Sequence, residues 1–300
     1  MIHIAYHESY PHRLKENHKF PMRKYSELAI RLVHQNIYTQ QHFFSPNLLR
    51  ESILYLTHES AYIERVKSLK LEKLEERRLG FPQSVELYER ELRITEGTVK
   101  GAILALDNGL SFNIAGGTHH AFTNRGEGFC IFNDIAVSAN YLLGQNLINK
   151  AAVLDLDVHQ GNGTAQIFAN NKSVYTLSIH GKNNYPVKKE NSDLDIELDD
   201  LTADKEYLSI IEETIPYLLD TERPNIVYYL AGADILESDK FGRLSVSLAG
   251  AKNRDRIIFD ECSKRSIPIV CVMGGGYSKD IEIIIEAHLN TFKVGKDFYS

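Results

Sequence analysis

The sequence predicts an α/β fold, a largely parallel sheet covered by helices on both faces, in one domain spanning residues 1–300. Two observations carry this expectation. Short, β-branched apolar runs alternate along the second half of the chain with longer stretches of helical periodicity, the pattern of strand–helix–strand units. Several of the runs are also nearly continuous in apolar residues, as strands buried on both sides are. No low-complexity linker, internal repeat or sharp change of composition divides the chain.

The elements follow in order. Residues 48–92 read as helical and so rich in charge that most of them are expected to face water. Residues 96–107 read as a helix, 110–114 (LSFNI) as a strand, and 133–143 as the next helix. Strands are then predicted over 151–158 (AAVLDLDV), 173–179 (SVYTLSI), 225–230 (NIVYYL) and 267–273 (IPIVCVM). Their brevity and their polar or glycine boundaries favour strand over helix. Helices are predicted at 204–219 and 248–263, between strands.

Composition excludes several classes of function. With 34 basic and 40 acidic side chains, the net charge of -6 lacks the basic excess of a nucleic-acid-coating protein. No segment approaches the roughly 20 apolar residues that a membrane-spanning helix needs. The N-terminus has no basic stretch before an apolar core, so no signal peptide is expected. Cys130, Cys262 and Cys271 have no paired spacing and read as reduced thiols in a cytoplasmic protein.

The chemistry collects where the strands end. LSFNI runs into Ala115-Gly116-Gly117-Thr118-His119-His120, and AAVL into Asp155-Leu156-Asp157-Val158-His159. NIVYYL runs into Ala231-Gly232-Ala233-Asp234, and IPIVCVM into Gly274-Gly275-Gly276-Tyr277. In open parallel sheets, sites form at the carboxyl ends of strands, and glycines let backbone turn and approach a ligand. Asp155, Asp157 and His159 at spacing i, i+2, i+4 on extended chain would leave one face together. Two carboxylates buried side by side repel each other and lose hydration unless a cation sits between them. Asp157, His159 and Asp234 would therefore hold a divalent ion and leave a position open for water, as catalytic sites do. His119 and His120 offer acid/base groups near neutral pH, and Tyr277 a phenolic donor for an oxyanion.

Taken together, these residues resemble the histone deacetylase superfamily, most of all its class IV branch and bacterial class IV-like members. The motifs are GGTHHA at 116–121, GFCIFND at 128–134, DLDVHQGNG at 155–163, AGADILESDKFGRLSVS at 231–247 and GGGY at 274–277. HKFPMRKY at 18–25 and NSDLDIEL at 191–198 add to them, so the match runs in order along nearly the whole chain. The resemblance implies an arginase/deacetylase-like, three-layer α/β/α sandwich and a zinc-dependent removal of acyl groups from lysine, with iron(II) also suited to the donors. It implies Asp157, His159 and Asp234 as metal ligands, with His119 and His120 beside the water, and Asp155 and Asn162 behind them. Tyr277 would face the substrate carbonyl. Gly128, Phe129, Phe241, Gly275 and Gly276 would line the substrate tunnel. A potassium ion is implied near Asp155, Ser178 and the backbone of Asp157, His159 and Ile179.

Two positions depart from the best-studied members. Asn162 stands where an aspartate is usual, which predicts a lower working pKa for His120. Phe241 replaces an aliphatic residue and is expected to reshape the acyl pocket. The residues leave the partner open between an acyl-lysine protein or peptide and a small acylated amine such as an acetylated polyamine. A two-metal hydrolase would need more bridging aspartates than are present. A non-catalytic acyl-lysine-binding module would be expected to have lost a ligand, histidine or tyrosine, and each is here.

Overall fold

The structure is a computed structural model and describes residues 1–15 and 18–299. Its sheet is built from β1 (His3–Ala5), β2 (Phe43–Phe44), β3 (Leu110–Asn113), β4 (Ala151–Asp155), β5 (Val174–Gly181), β6 (Leu194–Leu198), β7 (Ile226–Leu230) and β8 (Ile269–Val272). Among the described residues these form one 8-stranded sheet in the order β2-β1-β3-β8-β7-β4-β5-β6. Every pairing is parallel. The helices are α1 (Arg23–His34), α2 (Glu51–Leu54), α3 (Ser60–Lys67), α4 (Lys73–Leu79), α5 (Val85–Asn108) and α6 (Asp134–Gly144), followed by α7 (Asn162–Phe168), α8 (Asp204–Glu222), α9 (Leu248–Lys264) and α10 (Ile281–Tyr299).

The pleat sorts the strand residues into two buried layers. Val153, Tyr228 and Val270 pack with Ala102 and Ala105 of α5 and with Ile135 and Leu142 of α6. Their neighbours Leu154, Tyr229 and Cys271 belong to the opposite layer, with Leu28 of α1, Leu218 of α8, Ile258 of α9 and Leu289 of α10. This is the three-layer α/β/α arrangement expected from the sequence. Side chains fix where several helices begin: Ser84, Asn133 and Ser247 each accept a backbone N–H from the first turn that follows.

Two expectations need correction. Strand β4 stops at Asp155 and does not continue to 158, because the aspartates bend the chain. The Asp157 N–H donates to Asp155 Oδ1 at 3.2 Å, and the His159 N–H to Asp157 Oδ1 at 3.0 Å. Such side-chain turns are a habit of aspartate. The three residues therefore do not share one strand face. Residues 48–92 are helical as expected, but they are less of a solvated surface than their charge suggests. Leu54, Tyr62, Ile63, Leu79, Phe81 and Leu87 are buried. Even the Arg90–Glu91 ion pair lies inside, where Arg90 Nε also donates to the Tyr10 carbonyl at 2.6 Å.

The strands β3, β8, β7 and β4 are neighbours at the centre of the sheet, so their four carboxyl ends lie side by side. That places the histidine, glycine–tyrosine and aspartate loops around one point.

Candidate active site

Asp157 and His159 come from the bend after β4, and Asp234 from the loop after β7. One donor atom from each lies within 4.8 Å of the others. His159 Nδ1 is 3.0 Å from Asp157 Oδ1 and 3.1 Å from Asp234 Oδ2. Burial by itself would lower His159, but hydrogen bonds and charge from the two carboxylates outweigh it and push its pKa up to about 10. Burial and the charge of Asp157 raise Asp234 to about 7. Both shifts show that the two buried carboxylates draw positive charge to this point, a demand that a divalent metal with an open coordination position can meet in place of protons. Gly275 belongs to the same construction. Its N–H donates to Asp157 Oδ2 at 2.8 Å, and a Cβ there would fall 1.9 Å from Asp234 Oδ2.

Behind the cluster, Arg254 from α9 supports the Asp234 loop. Its Nη1 donates to the Gly232 carbonyl at 2.6 Å, and its Nη2 pairs with Asp255 at 2.8 Å. From α1, Lys24 Nζ donates to the Gly274 carbonyl at 3.0 Å, with burial lowering its pKa to about 8.

The two histidines follow β3, with ring centroids 4.1 Å apart. Their loop is pinned by Asp134, which accepts the N–H groups of Gly117 at 3.2 Å and Thr118 at 2.9 Å. His119 Nδ1 lies 2.7 Å from Asp155 Oδ2. Burial pulls the His119 pKa down, and the Asp155 and Asp157 carboxylates more than reverse this, raising it. His120 Nδ1 lies 2.7 Å from Asn162 Oδ1, and that oxygen also accepts the Gly163 N–H at 3.1 Å. An oxygen that accepts from Gly163 must be an acceptor for His120 too, so Nδ1 carries the proton and Nε2 keeps its lone pair. Burial, with His119 and His159 nearby, holds the His120 pKa well below its ordinary value. The pair is therefore split into one imidazole that favours its charged form and one that favours neutrality.

Two connected spaces meet at these residues. The outer one is open, about 620 Å³, and has His120, Gly128, Phe129, Tyr185, Phe241 and Tyr277 among its lining residues. The inner one is about 40 Å³ and reaches His119, Asp157, Gly275 and Tyr277. Gly128 and Phe129 form one wall in left-handed backbone, with φ of 57° and 69°. For phenylalanine that conformation is strained. It is held by N–H bonds from Gly128 to Arg78 O at 3.0 Å and from Phe129 to Leu79 O at 2.9 Å. Only glycine fits at 128, since a Cβ would fall 2.6 Å from His120 Cδ2. Tyr277 lies between Phe129 and Phe241, at 6.0 and 4.9 Å between ring centroids.

The remaining expected positions are placed as follows. Phe241 lines the outer space and not the inner one. Gly276 lines neither space, and a Cβ on it would meet Ile284 and Ala233. Ser178 and Asp155 are register partners on β5 and β4, with the Ser178 hydroxyl 2.9 Å from His180 Nδ1 and Ile179 next to it in the strand.

Several contributors carried no signal in the sequence reading. Tyr185 packs edge-on against His120 at 4.9 Å, and its hydroxyl donates to Glu127 Oε2 at 2.5 Å. Asp239 ties two loops together by accepting the N–H groups of Tyr277 at 2.6 Å and Phe241 at 2.8 Å. An aromatic after a loop asparagine, or an aspartate inside a recognised motif, has no spacing that points inward.

The chain is similar to known proteins at the level of family and fold. The family model described as "Histone deacetylase domain" matches residues 18–292. An uncharacterized protein of Picosynechococcus sp. is 36% identical over 296 residues, covering 99% of both chains. Histone deacetylase 2 of Arabidopsis thaliana is 34% identical over 192 residues, which are 63% of this chain and 50% of that one. Among solved structures, an HDAC homolog from Aquifex aeolicus superposes with a TM-score of 0.83 at 20% identity, covering 98% of this chain and 84% of the other. No helix among the described residues is long and apolar enough to cross a membrane.

Proposed function

Since the chain belongs to the histone deacetylase domain family, a family of amide-bond hydrolases, we propose that it removes acetyl groups, and longer acyl groups less readily, from lysine side chains. The observation that carries this reading is the meeting of the Asp157–His159–Asp234 cluster with a neutral-favouring His120. The small inner space of about 40 Å³ supports the preference for a short acyl group.

In this reading Asp157, His159 and Asp234 hold one divalent ion. Zinc or iron(II) there supplies Lewis-acid polarisation of the acyl carbonyl and makes water more acidic. His120 Nε2, left with its lone pair because the Nδ1 proton faces Asn162 and because burial and the neighbouring histidines disfavour the charged ring, takes the proton from the attacking water and then passes it to the leaving amine. His119, charged beside Asp155, adds positive potential on the same side. The Tyr277 O–H donates to the oxyanion as it forms. Phe129, Phe241 and Tyr185 enclose the lysine stem, and the Gly128 carbonyl accepts the amide N–H. A potassium ion held by Asp155, Ser178 and the backbone of Asp157, His159 and Ile179 belongs to the same proposal, supported by the pairing of Asp155 with Ser178 across neighbouring strands. The buried free thiols Cys130, Cys262 and Cys271 suit a reducing, cytoplasmic setting.

Hydrolysis of fluorogenic acyl-lysine peptides from acetyl to long-chain tests the reading, run with added zinc, with a chelator and with a hydroxamate. Metal-dependent, hydroxamate-sensitive turnover that falls with acyl length is expected. Silence across the panel from metal-loaded protein would contradict it.

A further inference from the structure

We infer that the site selects acylated amines with negative charge beside the scissile amide, namely acyl-lysines flanked by Asp or Glu in a peptide or protein. The inference rests on the deacylase reading and names its substrate class. The outer space of about 620 Å³ is where the residues around an acyl-lysine must lie. Its lining includes Arg78, Lys240 and Arg243 and no aspartate or glutamate among the described residues. Lys19 extends the same charge, with Nζ 5.8 Å from the centre of the Phe241 ring. The chain as a whole carries a formal charge of -6, so this mouth reverses the sign of the molecule.

The nearby acids do not cancel it. Asp239, next to Lys240, is turned inward, its oxygens taken by the N–H groups of Phe241, Gly242 and Tyr277. Glu127 is engaged by the Tyr185 hydroxyl and by Arg125. Asp200 lies 3.3 Å from Arg243 and offsets much of its charge, so the positive sign of the mouth rests on Arg78, Lys240 and Lys19. A concave opening lined by one sign of charge focuses its field outward, which draws complementary ligands and repels like charge. An acetylated polyamine would bring its remaining ammonium groups against three cations, and a lysine-rich peptide would do the same.

The test uses metal-loaded enzyme and acetyl-lysine peptides with Asp/Glu, Ser or Lys/Arg on either side of the acetyl-lysine, with an acetylated polyamine alongside. The kcat/KM for acidic flanks should exceed that for basic flanks by roughly tenfold, the size expected of a few exposed charge pairs. The ratio should shrink toward one as ionic strength rises from about 0.01 M to about 1 M, where the Debye length falls from roughly 30 to roughly 3 Å. The Lys240→Glu/Arg243→Glu variant should invert the order. The milder Lys240→Gln/Arg243→Gln variant should level it if the reversal harms folding. Equal rates whatever the flanks, or faster turnover of basic peptides or of the polyamine, would overturn this inference and leave the deacylase standing. Turnover of no acylated amine at all would remove the deacylase reading itself.

Discussion

Asn162 Oδ1 sits 2.7 Å from His120 Nδ1 and accepts the Gly163 N–H as well, so a neutral amide fixes the tautomer of the proposed base. A carboxylate in that place would orient the ring equally well but would also stabilise the imidazolium. Asn162→Asp should therefore raise the His120 pKa, and the unprotonated base would appear at higher pH. The acidic limb of the kcat/KM–pH profile should move upward. A limb that stays where it is would separate His120 from the proton transfer.

Tyr277 lines both spaces, so its O–H is within reach of an oxyanion formed where they meet. Tyr277→Phe should lower kcat by about 10²–10³-fold, the size seen when one oxyanion donor is lost. Metal content should be unchanged. A fully active variant would contradict the role.

Phe241 packs on Tyr277 at the outer space and does not line the inner one, where the proposed reading puts the acyl group. Phe241→Leu should raise KM for peptide substrates while leaving the acetyl-to-long-chain ratio within about twofold, since apolar swaps at a rim change local packing modestly. A shift in chain-length preference would instead put Phe241 against the acyl group.

Arg254 is a buried cation whose partners are Asp255 and the Gly232 carbonyl. Arg254→Met leaves Asp255 charged in the interior, a change that costs about 3–5 kcal/mol when a buried pair is broken. Thermal or denaturant unfolding should report a loss of that order. Unchanged stability would mean that water reaches Asp255.

Most of this site was legible in the sequence because each residue sits within a few positions of a strand end, marked by glycine. The strands themselves stood out through β-branched runs buried on both sides, as at 226–230. What escaped depended on side chains meeting across long sequence distances. Tyr185, Arg254 and Lys24 reach the site from loops or helices whose local pattern says nothing about direction. The strands His3–Ala5, Phe43–Phe44 and Leu194–Leu198 escaped because they are short or only half-buried, and their alternation is weak. The helices of residues 48–92 misled because their charge is counted per residue, whereas burial follows the apolar stripe between the charges.

The central claim is that one metal ion on Asp157, His159 and Asp234 runs amide hydrolysis here. The most direct measurement titrates zinc into metal-stripped protein, following bound metal and acetyl release from an acetyl-lysine peptide together. Activity should rise from background and saturate at about one ion per chain, as a three-ligand catalytic site requires. Asp157→Ala and Asp234→Ala should neither bind the ion tightly nor turn over. Full turnover by the stripped protein, or saturation only at two ions per chain, would contradict the account.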